Sequence, residues 1–239
     1  MHLPERINLA HWLAWLRLNR CAVLLAGLIL FILLFPFTTS RALDRLLINA
    51  LLLWVLIVAR WALSPHRRVG VLVLVLAGAL VGVYVAVLLG AHRLAPLVTV
   101  LYAALEAVLT IALVSYVLDA GRVTADKVFG AIAAYVLLAM LFASLFAVLL
   151  LADPAALRSS ADDDDRLGWF ELFYFSVTML TSTGFGDIVP ANDRARAVIV
   201  VAQITGTMYV AFLIARLANY YPAQRRARAA QDSKQPPAG

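Results

Sequence analysis

Residues 169–190 read WFELFYFSVTMLTSTGFGDIVP, and the fold turns on them. Trp169 to Leu180 is apolar but only about 12 residues long. As a helix it covers roughly 18 Å, about half of a hydrocarbon core. A segment of this kind between two full-length spans predicts a re-entrant helix, whose partly negative C-terminal end favours a cation at the bilayer centre. The next residues are Thr181-Ser182-Thr183-Gly184-Phe185-Gly186-Asp187, then Ile188-Val189-Pro190. Two glycines alternating with side-chain-bearing residues permit backbone conformations that turn successive carbonyls toward one axis. Non-helical backbone at this depth is tolerated only where protein buries it or where it lines an aqueous path.

The surrounding chain is of the composition such a loop requires. Of 239 residues, 64% are hydrophobic and 14% charged, with a mean hydropathy of +0.90, which excludes an ordinary water-soluble domain. Six stretches are long and apolar enough to span: Cys21 to Ser40, Leu46 to Ser64, Val69 to Ala91, Leu94 to Leu118, Val128 to Ala152 and Ala197 to Ala215. Arg60, near one end of the second, can snorkel to the headgroups, and Glu106 interrupts the fourth. The first is too long for a signal h-region, and Phe35, Pro36 and Phe37 stand where a cleavage site needs small residues.

Basic residues set the expected orientation. With both termini cytoplasmic, 13 of the 20 lysines and arginines lie inside, while nine of the 14 acids lie outside. The net charge of +6 therefore reports topology, and nucleic acid is not an expected partner. The single cysteine, Cys21, excludes an intrachain disulfide, and the four histidines lie at or beyond span ends, which argues against a haem bundle.

The stretch after span five now supports a comparison. Ser182 to Asp187 resembles the selectivity filter of the tetrameric potassium channels, whose TVGYG carbonyls replace the hydration shell of the ion. Ser182 falls on the filter threonine, Thr183 on the valine, Gly184 and Gly186 on the glycines, Phe185 on the tyrosine and Asp187 on the closing aspartate. The likeness covers about residues 128 to 221. It implies K+ bound at Ser182, Thr183, Gly184 and Phe185, with Gly186 completing the filter and Thr178, Thr181 and Asp187 supporting it. It also implies a gate hinge at Gly206, cavity-lining roles for Gln203, Thr205 and Thr207, and a homotetramer, because a ring of carbonyls needs several copies. Three departures mark this chain. Thr183 brings a hydroxyl that needs a partner, Phe185 lacks the hydroxyl that ties the filter to the pore helix, and Thr178 cannot pair with Asp187 as a glutamate would.

The expected architecture is thus all-α: six transmembrane helices with a re-entrant pore helix and filter loop between the fifth and sixth. Residues 1–19 read as a cytoplasmic interfacial helix, rich in Trp12, Trp15 and leucines. Residues 20–121 read as a four-helix scaffold, 122–221 as the pore domain and 222–239 as a disordered cytoplasmic tail that begins where Pro222 stops the last helix. From Leu97 to Leu118 there is no basic residue. A voltage sensor moves charges, each worth about 2.3 kcal/mol per 100 mV, so weak or absent voltage dependence is expected.

The function expected is passive potassium conduction across a plasma membrane, with no catalysis and no cofactor beyond the permeant ion. The alternatives are a nonselective or sodium-permeable channel and a non-conducting scaffold or regulatory subunit with a pore-like fold. Arg225, Arg226 and Arg228 are candidates for anionic lipid, although positive-inside topology explains them as well. Asp162 to Asp165 either concentrate cations or form a solvated loop. Glu106 is either a gating or proton-sensitive group, or a protonated residue bonded within the bundle. Ala, Leu and Arg richness suits a bacterial cell membrane.

Overall fold

The computed structural model describes residues 19–37, 67–119, 124–160 and 167–232. The expected interfacial helix, the second span and the Asp162 to Asp165 run lie outside the described residues. The described chain forms α1 (Arg20–Leu34), α2 (Arg67–Leu88), α3 (Ala95–Leu118), α4 (Ala125–Ala152), β1 (Leu157–Ser159), α5 (Trp169–Leu180), β2 (Ile188–Pro190) and α6 (Asp193–Asp232). Among these residues five helical stretches are long and apolar enough to cross a membrane: Arg20–Phe37, Gly70–Leu88, His92–Leu118, Ala125–Ala152 and Asp193–Arg216. The protein is multi-pass, and α5, at 12 residues, is the short apolar helix the sequence calls for.

One helix end differs from expectation. α6 continues through Pro222 to Asp232, so the chain from 222 onward does not begin as a disordered tail. A proline in a helix forfeits one hydrogen bond and crowds the preceding turn. Here the residues that follow, AQRRARAAQD, are mostly alanine, glutamine and arginine, which are strong helix formers that carry the helix on.

α4 is the hub. Its buried face, including Ala131, Ala134, Ala139, Ala143 and Ser144, is built of small residues that let neighbouring backbones approach closely. It packs against α1, α3, α5 and α6, so the helices before it and the α5–α6 segment after it share a continuous core. At the C-terminal end of α1, Phe31 and Phe35 reach the start of α5. The Phe31 ring meets Trp169 edge-on at 5.5 Å, and Phe35 stacks on Phe170 at 5.1 Å.

At the other end, Asp126 joins three helices. Its Oδ1 accepts from the Cys21 backbone N–H (2.8 Å), an amide left free by the first turn of α1, and its Oδ2 accepts from the Tyr116 hydroxyl of α3 (2.9 Å). Nearby, Lys127 Nζ and Arg216 both donate to the Asp119 carbonyl at the end of α3. Replacing Asp126 by alanine strands a buried amide and a phenol. Asp126→Ala is therefore expected to lower folded stability by about 2–3 kcal/mol, and Tyr116→Phe by about 1 kcal/mol, read as thermal unfolding midpoints of the purified protein.

Candidate functional site

α5 owes its position to three ties. At its start, Glu171 accepts from the Gly168 amide and places a negative charge in the first turn, complementing the helix dipole. Midway, the fully buried Ser176 hydroxyl donates to the Ala139 carbonyl of α4 at 2.6 Å. At its end, Gly206 of α6 lies against Leu180. A Cβ at Gly206 would sit 2.8 Å from both the carbonyl carbon and the Cα of Leu180, and closer still to the oxygen. α6 is anchored in turn by the Tyr209 hydroxyl, which donates to the Ala131 carbonyl of α4 at 2.6 Å.

The loop that leaves α5 first turns back on it. The amides of Ser182 and Thr183 donate to the carbonyls of Met179 (3.0 Å) and Thr178 (2.9 Å). Ser182 takes a positive φ of 54°, as do Gly184 at 58° and Gly186 at 82°. At Ser182 this left-handed conformation costs roughly 1–2 kcal/mol, which the two amide bonds offset. The carbonyls of Ser182 to Gly186 accept no backbone hydrogen bond. Residues 181–186 are all exposed on the single chain, with Phe185 at 68%.

Two of the departures noted in the sequence find local answers. The Thr183 hydroxyl is partnered by that of Thr181 at 2.7 Å, and Thr181 Oγ1 also reaches the Val177 carbonyl at 2.8 Å. The Phe185 ring lies parallel to that of Tyr174, 6.2 Å away with a 5° interplanar angle, and a side-chain hydrogen bond joins the Tyr174 hydroxyl to Asp187. Tyr174 thus supplies from α5 a hydroxyl where Phe185 has none. Sequence reasoning missed it, although it is the one hydroxyl-bearing aromatic in Trp169–Leu180. The Thr178 hydroxyl, by contrast, bonds the Phe175 carbonyl within the helix (2.8 Å) and leaves Asp187 alone.

Asp187 closes the loop onto the outer strands. Its carbonyl accepts from both the amide (2.8 Å) and the hydroxyl (3.1 Å) of Ser160, and its Oδ1 accepts from the Ile188 amide (3.1 Å). β1 and β2 then pair antiparallel, Leu157 with Pro190 and Ser159 with Ile188, so the polar loop leading into α5 is stitched to the far side of the filter stretch. Asn192 caps α6 through the Ala195 amide and ties it to Asp153 at the end of α4 (2.7 Å).

The three expected cavity-lining residues of α6, Gln203, Thr205 and Thr207, do not share one face. Gln203 and Thr207 stand four apart and on the same side. The Thr205 hydroxyl bonds the Val201 carbonyl at 2.7 Å. Thr205 also lines an apolar groove of about 570 Å³ against Val117 and Leu118 of α3.

Tyr174 gives a direct test of this bracing. Tyr174→Phe keeps the ring stack and removes the hydroxyl that reaches Asp187. Tyr174→Ala removes the stack as well. Thermal unfolding midpoints of the purified protein are expected to fall in the order wild type, Phe, Ala.

Residues 132–222, from α4 through most of α6, match a family model described as ion channel. Over this stretch the chain is similar to ion channels, and the match indicates a channel rather than an enzyme. Neither a curated protein nor a solved structure matches the chain.

Proposed function

We propose that four copies of this chain surround a potassium-selective pore in the cell membrane, with both termini cytoplasmic. The observation that carries this reading is the filter stretch itself: irregular backbone, exposed on the single chain and approached from a half-length apolar helix, with its carbonyls unengaged. Lipid cannot cover such backbone, because each unsatisfied polar group in hydrocarbon costs several kcal/mol. Further copies of the same chain cover it and bring the same carbonyls to a common axis.

In that assembly, ions shed water onto the carbonyls of Ser182, Thr183, Gly184 and Phe185, with the Ser182 hydroxyl available at the inner end, and advance by repulsion between adjacent sites. The C-terminal ends of the α5 helices point at the ion below the filter. Gln203 and Thr207 line the wet cavity, and Thr205 belongs to the groove. Gly206 is the seat of the inner helix against the root of the filter, so any bending there moves the filter too. Arg225, Arg226 and Arg228 meet anionic headgroups by their charge and their place just past the last apolar span. α3 carries no basic residue, so conduction is weakly or not voltage dependent.

The test is the reversal potential of the reconstituted chain in a planar bilayer, with potassium on one side and sodium on the other. A value near the potassium equilibrium potential is expected. Clear current reversing near zero would replace this reading with a nonselective cation channel. An intact tetramer that passes no current, with or without substitution at Gly206, would replace it with a non-conducting scaffold.

A further inference from the structure

Glu106 stands midway along α3 and is only 6% exposed. A side-chain hydrogen bond joins its carboxyl to Ser144 of α4, itself buried. The other oxygen, Oε2, is buried without a partner, and so, one turn further on, is Thr110 Oγ1. Hydroxyls inside helices ordinarily bond a carbonyl one turn back, as Ser115 does with Ile111 at 2.7 Å. Thr110 forgoes that bond, which leaves its hydroxyl free for something else in the seam.

Among the described residues, no charge on the elements packed against α3 answers Glu106. Gly70 to Leu88 of α2 holds no charged residue and one titratable group, Tyr84, next to Tyr102. Tyr102 lies one turn before Glu106 on its own helix. α4 has no charged residue between Lys127 and Asp153, and its one tyrosine there is Tyr135, which packs on Tyr209. An isolated ionised carboxylate in apolar surroundings is costly enough that the group neutralises instead. Buried polar atoms without partners mark a water or ion that completes the site. Hard metal cations take about six or more oxygens, whereas an internal water needs only two to four partners. Three side-chain oxygens suit the water.

We propose that Glu106, Thr110 and Ser144 form a buried proton site in the seam between α3 and α4, in which the carboxyl donates its proton to one internal water shared with Thr110. The site clamps the scaffold to the outer pore helix with a neutral, fully bonded contact. Ionising it would leave a bare charge in that contact. The proposal stands apart from the permeation path, and its test needs no ion flux.

The measurement is the infrared spectrum of the full chain in lipid vesicles at neutral pH. The expected result is the carbonyl-stretch band of one protonated carboxylic acid per chain, shifting on transfer to D2O. Glu106→Gln should abolish it, Thr110→Val and Ser144→Ala should each displace it, and Glu106→Asp should move it without removing it. If Glu106→Gln fails to assemble, as judged by gel filtration, the Thr110→Val displacement decides. Absence of a protonated-acid band in the wild-type protein, survival of the band in Glu106→Gln, or a band unmoved by Thr110→Val would each overturn the proposal.

Discussion

Gly184→Ala is expected to abolish potassium current while leaving the oligomer assembled. At Gly184 φ is 58°, and a Cβ there would meet nothing within 4 Å in the chain. The penalty is therefore conformational and not steric: alanine in the left-handed region costs roughly 1–2 kcal/mol. A penalty of that size lowers an unfolding midpoint by a few degrees. It is also enough to favour rotating the 184 peptide back to negative φ, which swings its carbonyl off the axis. In the fourfold ring proposed above the change would occur four times at one level, so an ion arriving there would find no replacement for its water. Gly186→Ala, at φ 82°, should behave likewise. The decisive comparison sets single-channel current against the size of the purified oligomer. Wild-type current and reversal potential in Gly184→Ala would mean that ions do not pass along these carbonyls.

The half-length helix and the irregular, glycine-alternating loop that follows it were legible in the sequence because both are local. A 12-residue apolar run between two spans and a GFGD with alternating glycines need no knowledge of the rest of the chain. The bracing of the filter is a matter of contact between positions far apart in sequence. Tyr174 is an ordinary aromatic until the turn at Ser182 folds Phe185 back against it. Ser160 reads as loop until β1 and β2 pair and bring it to the Asp187 carbonyl. The docking of α1 on α5 through Phe31 and Phe35 has the same character, since hydropathy places apolar residues in a membrane without saying which of them meet. The run of α6 past Pro222 was misjudged for another reason. A single strong breaker weighed more in the reading than the alanines, glutamines and arginines that follow it, whereas the helix answers to their sum.

Gly206 carries the second large effect, and there the contact between α6 and α5 changes what a substitution means. As a hinge alone, glycine would be replaceable by alanine at a modest cost in flexibility, because alanine is the better helix former. The structure puts the Leu180 backbone where the alanine methyl would go, at 2.8 Å from two of its atoms and nearer to the third. Backbone at a helix end cannot swing aside as a side chain does, so either α6 or the end of α5 must shift. Overpacking of this kind costs about 1–3 kcal/mol or more per chain. The displaced element bears directly on Ser182 and Thr183, whose amides hang from Met179 and Thr178. Gly206→Ala is accordingly expected to lower the thermal stability of the oligomer by several degrees and to move the reversal potential toward zero. Gly206→Val should prevent assembly. Should Gly206→Ala conduct with unchanged selectivity and stability, and alter only the fraction of time open, the residue would be a hinge and the close seat on Leu180 would not hold the filter.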